Sequence, residues 1–325
     1  MRPNGESRRA LITGAAGFVG QWLCRALLAE GWDVVGAGVA AEPTGGILTG
    51  DERRAVRWLL ADVRNQADVA RVVASSRPDA VFHLAGVTFV PEAQGDPVLA
   101  HEINVLGAAR LMHEIRTRKR GGEIDPAVLV IGSAEQYGVG EVGRLRVETD
   151  PQRPVTVYAA SKAAQEIIAL EAARSDGVRV IATRSFNHSG AGQAEHFLLP
   201  ALVRRARDIR AGAETQLRIG NADTVRDFLH VRDVVRAYLL LVDRGVPGEV
   251  YNVCSGRGQR VSDLAERVLA AVDADARVAV DPALVRRVEV PWLVGDSTKL
   301  RSATGWTPAL SSDDIITDLI NAPAR

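Results

Sequence analysis

The feature that most constrains this chain is the stretch Leu11-Ile12-Thr13-Gly14-Ala15-Ala16-Gly17-Phe18-Val19-Gly20. A short apolar run ends in three glycines spaced three apart, and an apolar-periodic segment follows at once. That is the order strand, tight turn, helix. Gly14 allows the turn, and Gly17 lets backbone N–H groups approach a pyrophosphate. Gly20 lets the helix pack close to the strand, while the helix N-terminus favours negative charge. The spacing is G-x-x-G-x-x-G, a variant of G-x-G-x-x-G, and a plain strand–helix turn also uses glycines. The strand before and the helix after point to dinucleotide binding, with Gly14, Gly17, Phe18, Val19 and Gly20 at the cofactor.

Phe18 to Glu30 reads as a helix with apolar positions at 19, 22, 23, 26 and 27, stopped by Gly31. Asp33 to Ala37 is a second strand, nearly all apolar, as a parallel strand covered on both faces should be. The Asp or Glu that often ends this strand and bonds the ribose 2′-OH is replaced by Gly38, with Glu42 beyond it. NAD and NADP both stay open as cofactors. Further strands are predicted over Val56–Leu60, Ala80–Leu84, Val128–Ile131 and Val178–Thr183. Helices are predicted over Asn65–Ser75, Pro97–Arg118 and Phe197–Arg210. The polar stretch Ala41–Arg54 reads as an exposed loop. Strands alternating with helices at this rhythm predict an α/β fold with a doubly wound parallel Rossmann sheet. Residues 1–185 form the expected dinucleotide-binding domain. Residues 186–325 are expected to be mainly a smaller α/β substrate domain, with a return of about 225–255 to the first left open.

At 325 residues the chain has room for two domains. Its 40 basic and 40 acidic residues cancel, so nothing in the charge favours a nucleic-acid or membrane partner. Cys24 and Cys254 form no CxxC pair and read as buried free thiols, and no metal site is expected. Met1 to Arg9 has no apolar leader-like core, and no run of eighteen apolar residues exists, so the expectation is a cytoplasmic protein.

The chemistry is concentrated between the fifth strand and the helix that begins near Val157. The strand opens into Gly132-Ser133-Ala134-Glu135, and the helix carries Tyr158-Ala159-Ala160-Ser161-Lys162. Tyr and Lys at i and i+4 share one helical face. An ammonium close to a phenol favours the phenolate and is expected to lower its pKa from about 10. The result is an acid/base suited to a carbinol or carbonyl. Y-x-x-x-K alone is common as an exposed helical pair; the glycine turn and Ser133 give it meaning.

With these residues in place the sequence resembles the extended short-chain dehydrogenases/reductases that act on nucleotide sugars. The resemblance runs from Gly14-x-x-Gly17-x-x-Gly20 to Asp296-Ser297-Thr298-Lys299-Leu300 and Gly305-Trp306-Thr307-Pro308. It implies that Tyr158 is the proton donor or acceptor and that Lys162 orients the nicotinamide ribose. It implies that Ser133 bonds the sugar's reacting oxygen, that Asp62 and Val63 flank the adenine, and that Leu84 and Ala85 line the cofactor channel. Asn187 is implied at the nucleotide sugar and His188 near the cofactor, in the run Arg184-Ser185-Phe186-Asn187-His188. Arg226, in Arg226-Asp227-Phe228, is implied at the diphosphate, with Arg286 as a second candidate.

Within that superfamily the pattern is most similar to GDP-6-deoxy-4-ketomannose reductases of GDP-rhamnose synthesis. Asn187-His188-Ser189-Gly190-Ala191-Gly192-Gln193 resembles their N-H-x-G-P-G-Q, with Ala191 for the usual proline. The implied reaction is NAD(P)H-dependent reduction of the C4 ketone of a GDP-linked 4-keto-6-deoxyhexose. The sister GDP-mannose 4,6-dehydratases share a Ser/Thr-x-Glu arrangement, represented here by Ser133 and Glu135; dehydration needs a base at C5, and Glu135 is compatible with both activities. An NDP-sugar 4-epimerase on the same scaffold, and a non-catalytic dinucleotide-binding sensor, are the other readings. A homodimer through Pro97–Arg118 and Tyr158–Ser175 is expected, on apolar positions such as Leu106, Leu111 and Ile115.

Overall fold

The computed structural model describes residues 6–40, 42–285 and 290–322. β1 (Arg9–Thr13) runs into α1 (Phe18–Ala29), and β2 (Asp33–Gly38) returns beside β1. Gly31 stands just beyond the helix cap at φ 76°, the left-handed backbone that ends helices. α2 (Gly50–Ala55), β3 (Arg57–Leu60), α3 (Gln66–Ser76) and β4 (Ala80–His83) follow. α2 corrects the expectation of a loop up to Arg54. Thr49 accepts from the Glu52 N–H and the Glu52 carboxylate accepts from the Thr49 N–H, a reciprocal cap that starts a helix without any apolar period.

α4 (Val90–Gly95) and α5 (Pro97–His101) lead through a π-helical turn, Glu102–Leu106, into α6 (Gly107–Arg120). The single helix expected over 97–118 is therefore wound unevenly. The wide turn carries Asn104 into the interior. There its Oδ1 accepts from Val87 N at 2.8 Å, and its Nδ2 donates to Val87 O at 3.1 Å and Ser161 Oγ at 2.8 Å. β5 (Ala127–Ser133) ends in a 3-10 turn, Ala134–Tyr137, and α7 (Val157–Asp176) leads to β6 (Arg179–Ser185).

The remainder is β7 (Asn187–Ser189), α8 (Leu198–Arg210), β8 (Gln216–Ile219), β9 (Val225–His230), α9 (Val231–Arg244) and β10 (Val250–Val253). Then come β11 (Gly258–Arg260), α10 (Val261–Val272), β12 (Arg277–Val280), β13 (Trp292–Leu293), α11 (Thr298–Thr304) and α12 (Ser312–Asn321).

Seven strands form one parallel sheet in the order β10-β6-β5-β4-β1-β2-β3. Side chains alternate between its faces. Ile12, Phe82 and Leu129 pack with Leu23 and Leu27 of α1 and Val234 and Leu241 of α9. Leu11, Val81 and Val128 pack on the other face with Val72 of α3, Leu111 and Ile115 of α6 and Ala169 of α7. Both faces are thus covered, the arrangement that strands of nearly unbroken apolar sequence require. Chain order reverses at β1, which has β2 on one side and β4 on the other, and such a switch point opens a crevice at the strands' C-terminal ends.

A smaller unit stands over that end. β9 pairs with β7, β11 and β13, β8 pairs with β12, and α8, α10 and α12 enclose an apolar core through Leu202, Leu264 and Ile315. Cys24 and Cys254 are buried free thiols.

Gly20 carries a measurable consequence. A Cβ there would lie 2.5 Å from Gly14 O and 2.6 Å from Ala15 O, both backbone atoms that cannot swing away. Helix propensity favours alanine by about 1 kcal/mol, but overpacking costs about 1–3 kcal/mol, so the clash wins. Gly20→Ala is expected to lower the urea midpoint with an unchanged slope. Gly38→Ala, where a Cβ meets nothing within 4 Å, is expected to leave it in place.

Candidate active site

A cavity of about 950 Å³ runs along the C-terminal ends of β1, β4 and β5 and under the smaller unit. Its floor is the glycine turn. Gly14 takes φ +73°, and a Cβ on it would sit 2.8 Å from Ala85 N, so β1 and the segment after β4 close to backbone contact only because this residue is glycine. Thr13 Oγ1 reinforces that contact by accepting from Ala85 N at 3.2 Å and bonding His83 Nδ1 at 2.8 Å. Gly17 is the N-cap of α1, and no side chain caps that helix end. Phe18, Val19 and Gly20 line the cavity beside it. Such a bare, side-chain-free helix start fits a pyrophosphate.

Asp62 and Val63 line one end of the cavity, with Leu84 and Ala85 along its wall. The Asp62 carboxylate is gripped by Arg64 at 2.6 Å, which holds its pKa below the usual carboxylate value. His188 stacks on Phe18 with the rings 11° apart, and its Nδ1 bonds Phe186 O at 2.9 Å. Burial lowers the His188 pKa, which favours the neutral imidazole.

Ser133, Glu135, Tyr158 and Lys162 meet at the cavity's centre. β5 delivers Ser133, whose Oγ accepts from Glu135 N at 3.2 Å. Thr156 caps α7 by accepting from Ala159 N at 3.1 Å, and so sets where Tyr158 leaves the first turn. The Ser133 hydroxyl stands beside the Tyr158 phenol. Lys162, 2% exposed, donates from Nζ to Ile131 O and to Gln165 Oε1, each at 2.8 Å.

That geometry corrects the expected electrostatics of the Tyr–Lys pair. Burial pushes the Tyr158 pKa up to about 12, the neighbouring Ser133 hydroxyl lowers it only in part, and the Glu135 charge adds to the rise. Burial also pushes Lys162 down to about 8. Helical spacing places the two side chains on one face, but the ammonium turns its donors to β5 and Gln165. In this state Tyr158 is a protonated donor near neutral pH, not a phenolate.

On the far side, Asn187 of β7 and Arg226 of β9 line the same cavity. Arg226 is 7% exposed, and its NH1 donates to Val225 O at 2.9 Å. The neighbouring Asp227 carboxylate accepts from Ser255 N, Ser255 Oγ and Gly256 N, which pins this end of β9. Arg286 lies outside the described residues. Sequence reasoning missed Phe89, His196 and Phe197, which also line the cavity. The His196 ring lies 4.4 Å from each of the two phenylalanine rings. They sit on two non-periodic connections, and their one signal is that Phe, Trp and Tyr make up only 5% of this sequence.

The sequence profile described as GDP-mannose 4,6 dehydratase matches residues 11–319. This chain belongs to that family. Among curated relatives, GDP-6-deoxy-D-mannose reductase of Pseudomonas aeruginosa is 34% identical over 312 residues, covering 94% of this chain and 93% of the relative. GDP-mannose 4,6-dehydratase of Vibrio cholerae is 25% identical, covering 96% of this chain and 93% of that one. Among solved structures, RMD from Pseudomonas aeruginosa complexed with NADPH superposes with a TM-score of 0.80 at 31% identity, over 96% of this chain and 97% of that chain. The family's shared scaffold is thus present from β1 to α12.

The buried ammonium predicts a stability profile. The Lys162 pKa is about 8 in the folded chain against 10.5 for an ordinary lysine. Between those values the unfolded chain binds more protons, so stability rises with pH across that window. Each unit is worth 1.36 kcal/mol, so the gain is on the order of 3 kcal/mol. Lys162→Met removes it, whereas the tyrosines titrate equally in both proteins. Chemical denaturation at pH 7.5 and pH 10 should show wild type gaining on the variant; a constant difference would contradict the depressed lysine.

Proposed function

We propose that this protein reduces the C4 ketone of a nucleotide-linked 4-keto-6-deoxyhexose, GDP-4-keto-6-deoxymannose to GDP-rhamnose, with NAD(P)H. The observation that carries the choice of reaction is the 34% identity with a GDP-6-deoxy-D-mannose reductase across 94% of the chain. The choice of chemistry is supported by the convergence of Ser133, Tyr158 and Lys162 on the cavity floored by Gly14, Gly17 and Gly20.

Bound as NAD(P)H, the cofactor would supply a hydride to C4 and leave as NAD(P)+. The first turn of α1, behind Gly17, would hold the pyrophosphate, with Asp62 and Val63 at the adenine, Leu84 and Ala85 along the channel, and His188 beside Phe18. No carboxylate occupies the Gly38 position to repel a 2′-phosphate, so both NADPH and NADH are accepted. Tyr158 gives its proton to O4 as negative charge grows there, the role its raised pKa suits. Ser133 donates to the same oxygen, and the Lys162 charge, one turn away, stabilises the alkoxide before the proton arrives. Lys162 also orients the ribose. Arg226 and Asn187 hold the nucleotide sugar, with the planar guanidinium matched to two diphosphate oxygens. Glu135 binds a sugar hydroxyl. Residues 1–185 are the cofactor domain and 186–325 mainly the sugar domain. The location of β10 in the seven-stranded sheet supports a return of part of 225–255 to the first.

The protein is further read as a homodimer. Leu111 and Ile115 are taken up by the core, but Val98 (70% exposed), Leu106 (46%) and Ile167 (60%) on α5, the π turn and α7 stay uncovered and support a partner there.

Two measurements test these readings. With GDP-4-keto-6-deoxymannose the protein should oxidise NADPH or NADH stoichiometrically, and it should leave GDP-mannose unchanged. Tyr158→Phe should bind cofactor yet lose about 10²–10⁴-fold in turnover. Glu135→Gln should impair substrate binding more than hydride transfer. Conversion of GDP-mannose to a 4-keto sugar without added reductant, abolished by Glu135→Gln, would make the protein a dehydratase instead. In sedimentation the chain should run as a dimer at micromolar concentration and Ile167→Glu should weaken it; a monomeric wild type removes the assembly from the account.

A further inference from the structure

We infer that Gln136, Glu166 and Arg184 are positioning residues, a buried chain of hydrogen bonds that fixes where Ser133 stands relative to Tyr158. The inference rests on the reading of Ser133 and Tyr158 as the reacting pair. Ser133 N donates to Gln136 Oε1 at 2.7 Å. Gln136 Nε2 donates to Glu166 Oε2 at 2.8 Å. Arg184 closes the chain, donating from Nε to the same oxygen at 3.0 Å and from NH2 to Oε1 at 2.7 Å. Gln152 donates to Oε1 as well. Gln136, Glu166 and Arg184 are 0%, 3% and 5% exposed.

Two features distinguish this chain of bonds from ordinary packing. First, it joins separate elements at the point where their relation matters. Tyr158, Lys162 and Glu166 follow one another at i, i+4 and i+8 on α7, so they share one face. Ser133 comes from the end of β5, and Gln136 bonds both Ser133 and Glu166. Second, the backbone is cleared for it. A Cβ on Gly132 would lie 2.3 Å from Thr183 O of β6 and 2.5 Å from Gln136 Oε1, so the glutamine carbonyl and β6 both close on a strand end that only glycine leaves open.

Stability alone does not call for such a group. A buried ion pair gains little over apolar residues of the same volume, because both charges lose their water. Directional bonds do, however, hold a distance that apolar contact would leave loose. Arg184 is itself held by Glu148 O at 3.0 Å and by the Tyr137 ring 4.7 Å from its guanidinium. The anchor for Ser133 is therefore fixed from three sides.

The test uses Gln136→Leu, with thermal melting and NADPH affinity as controls. The variant should fold and bind NADPH as wild type does. Its kcat for ketone reduction should fall about 10²-fold, the effect of a misplacement near 1 Å, with little change in KM. Gln136 does not line the cavity, so the loss should sit in kcat rather than in KM. Glu166→Gln keeps one acceptor oxygen for Gln136 but turns an amide N–H on Arg184 and Gln152, so its kcat should fall less than that of Gln136→Leu. Should Gln136→Leu not fold, the charge-free pair Glu166→Leu with Arg184→Met carries the same expectation. An unchanged kcat overturns the inference, as does a loss that follows only the folded fraction or that falls in KM instead. Wild type without turnover removes the functional reading and this inference with it. Wild type active beside an unaffected Gln136→Leu overturns the positioning claim alone.

Discussion

The backbone contact between the end of β1 and the segment after β4 is the constraint on which the rest of the site depends. Gly14 takes φ +73° with Ala85 N only 2.8 Å from where a Cβ would stand, and Thr13 bonds both Ala85 and His83. Because β1 is the strand at which the sheet order reverses, this contact sets the width of the crevice there. Everything that enters the cavity from β5, α7, β7 and β9 is measured from that floor. A looser turn would widen the crevice and separate α1 from the strands whose ends carry the chemistry.

The site's charge economy follows from burial. The ammonium of Lys162 and the carboxylate of Glu166 are withdrawn from water one turn apart on the same helix, each held by several partners. Their partners differ in kind. Glu166 meets a full guanidinium and two side-chain amides. Lys162 meets only a carbonyl and an amide, so its charge is poised, with a pKa of about 8. One helix face thus carries an ion-paired carboxylate and, one turn away, an ammonium held by neutral acceptors.

Much of this was legible in the sequence, for identifiable reasons. The glycine turn and the apolar strands are written locally, in spacing and period, and the sheet reproduces them. The Tyr158–Lys162 pair is read from its helical spacing and Ser133 from its place at the end of the fifth strand, and all three line one cavity. Three things were not legible. The helix at 50–55 depends on one reciprocal cap rather than a period. The phenol's pKa depends on where the lysine's hydrogen bonds go, which helical spacing does not say. Phe89, His196 and Phe197 come together from connections 107 residues apart in the sequence (89 to 196), with no pattern to announce it.

The π turn at Glu102–Leu106 gives the segment 97–120 a change of phase. A residue advances a helix by about 100°, so one extra residue in a turn swings whatever follows to a new azimuth. Val98 before the turn looks outward, while Leu111 and Ile115 after it look into the sheet. One continuous rod therefore serves two surfaces that a regular helix of the same composition could not address together. It also makes the segment sensitive to length rather than to composition. Removing a single residue there would rotate one half against the other and turn Asn104 away from Val87, however conservative the remaining sequence.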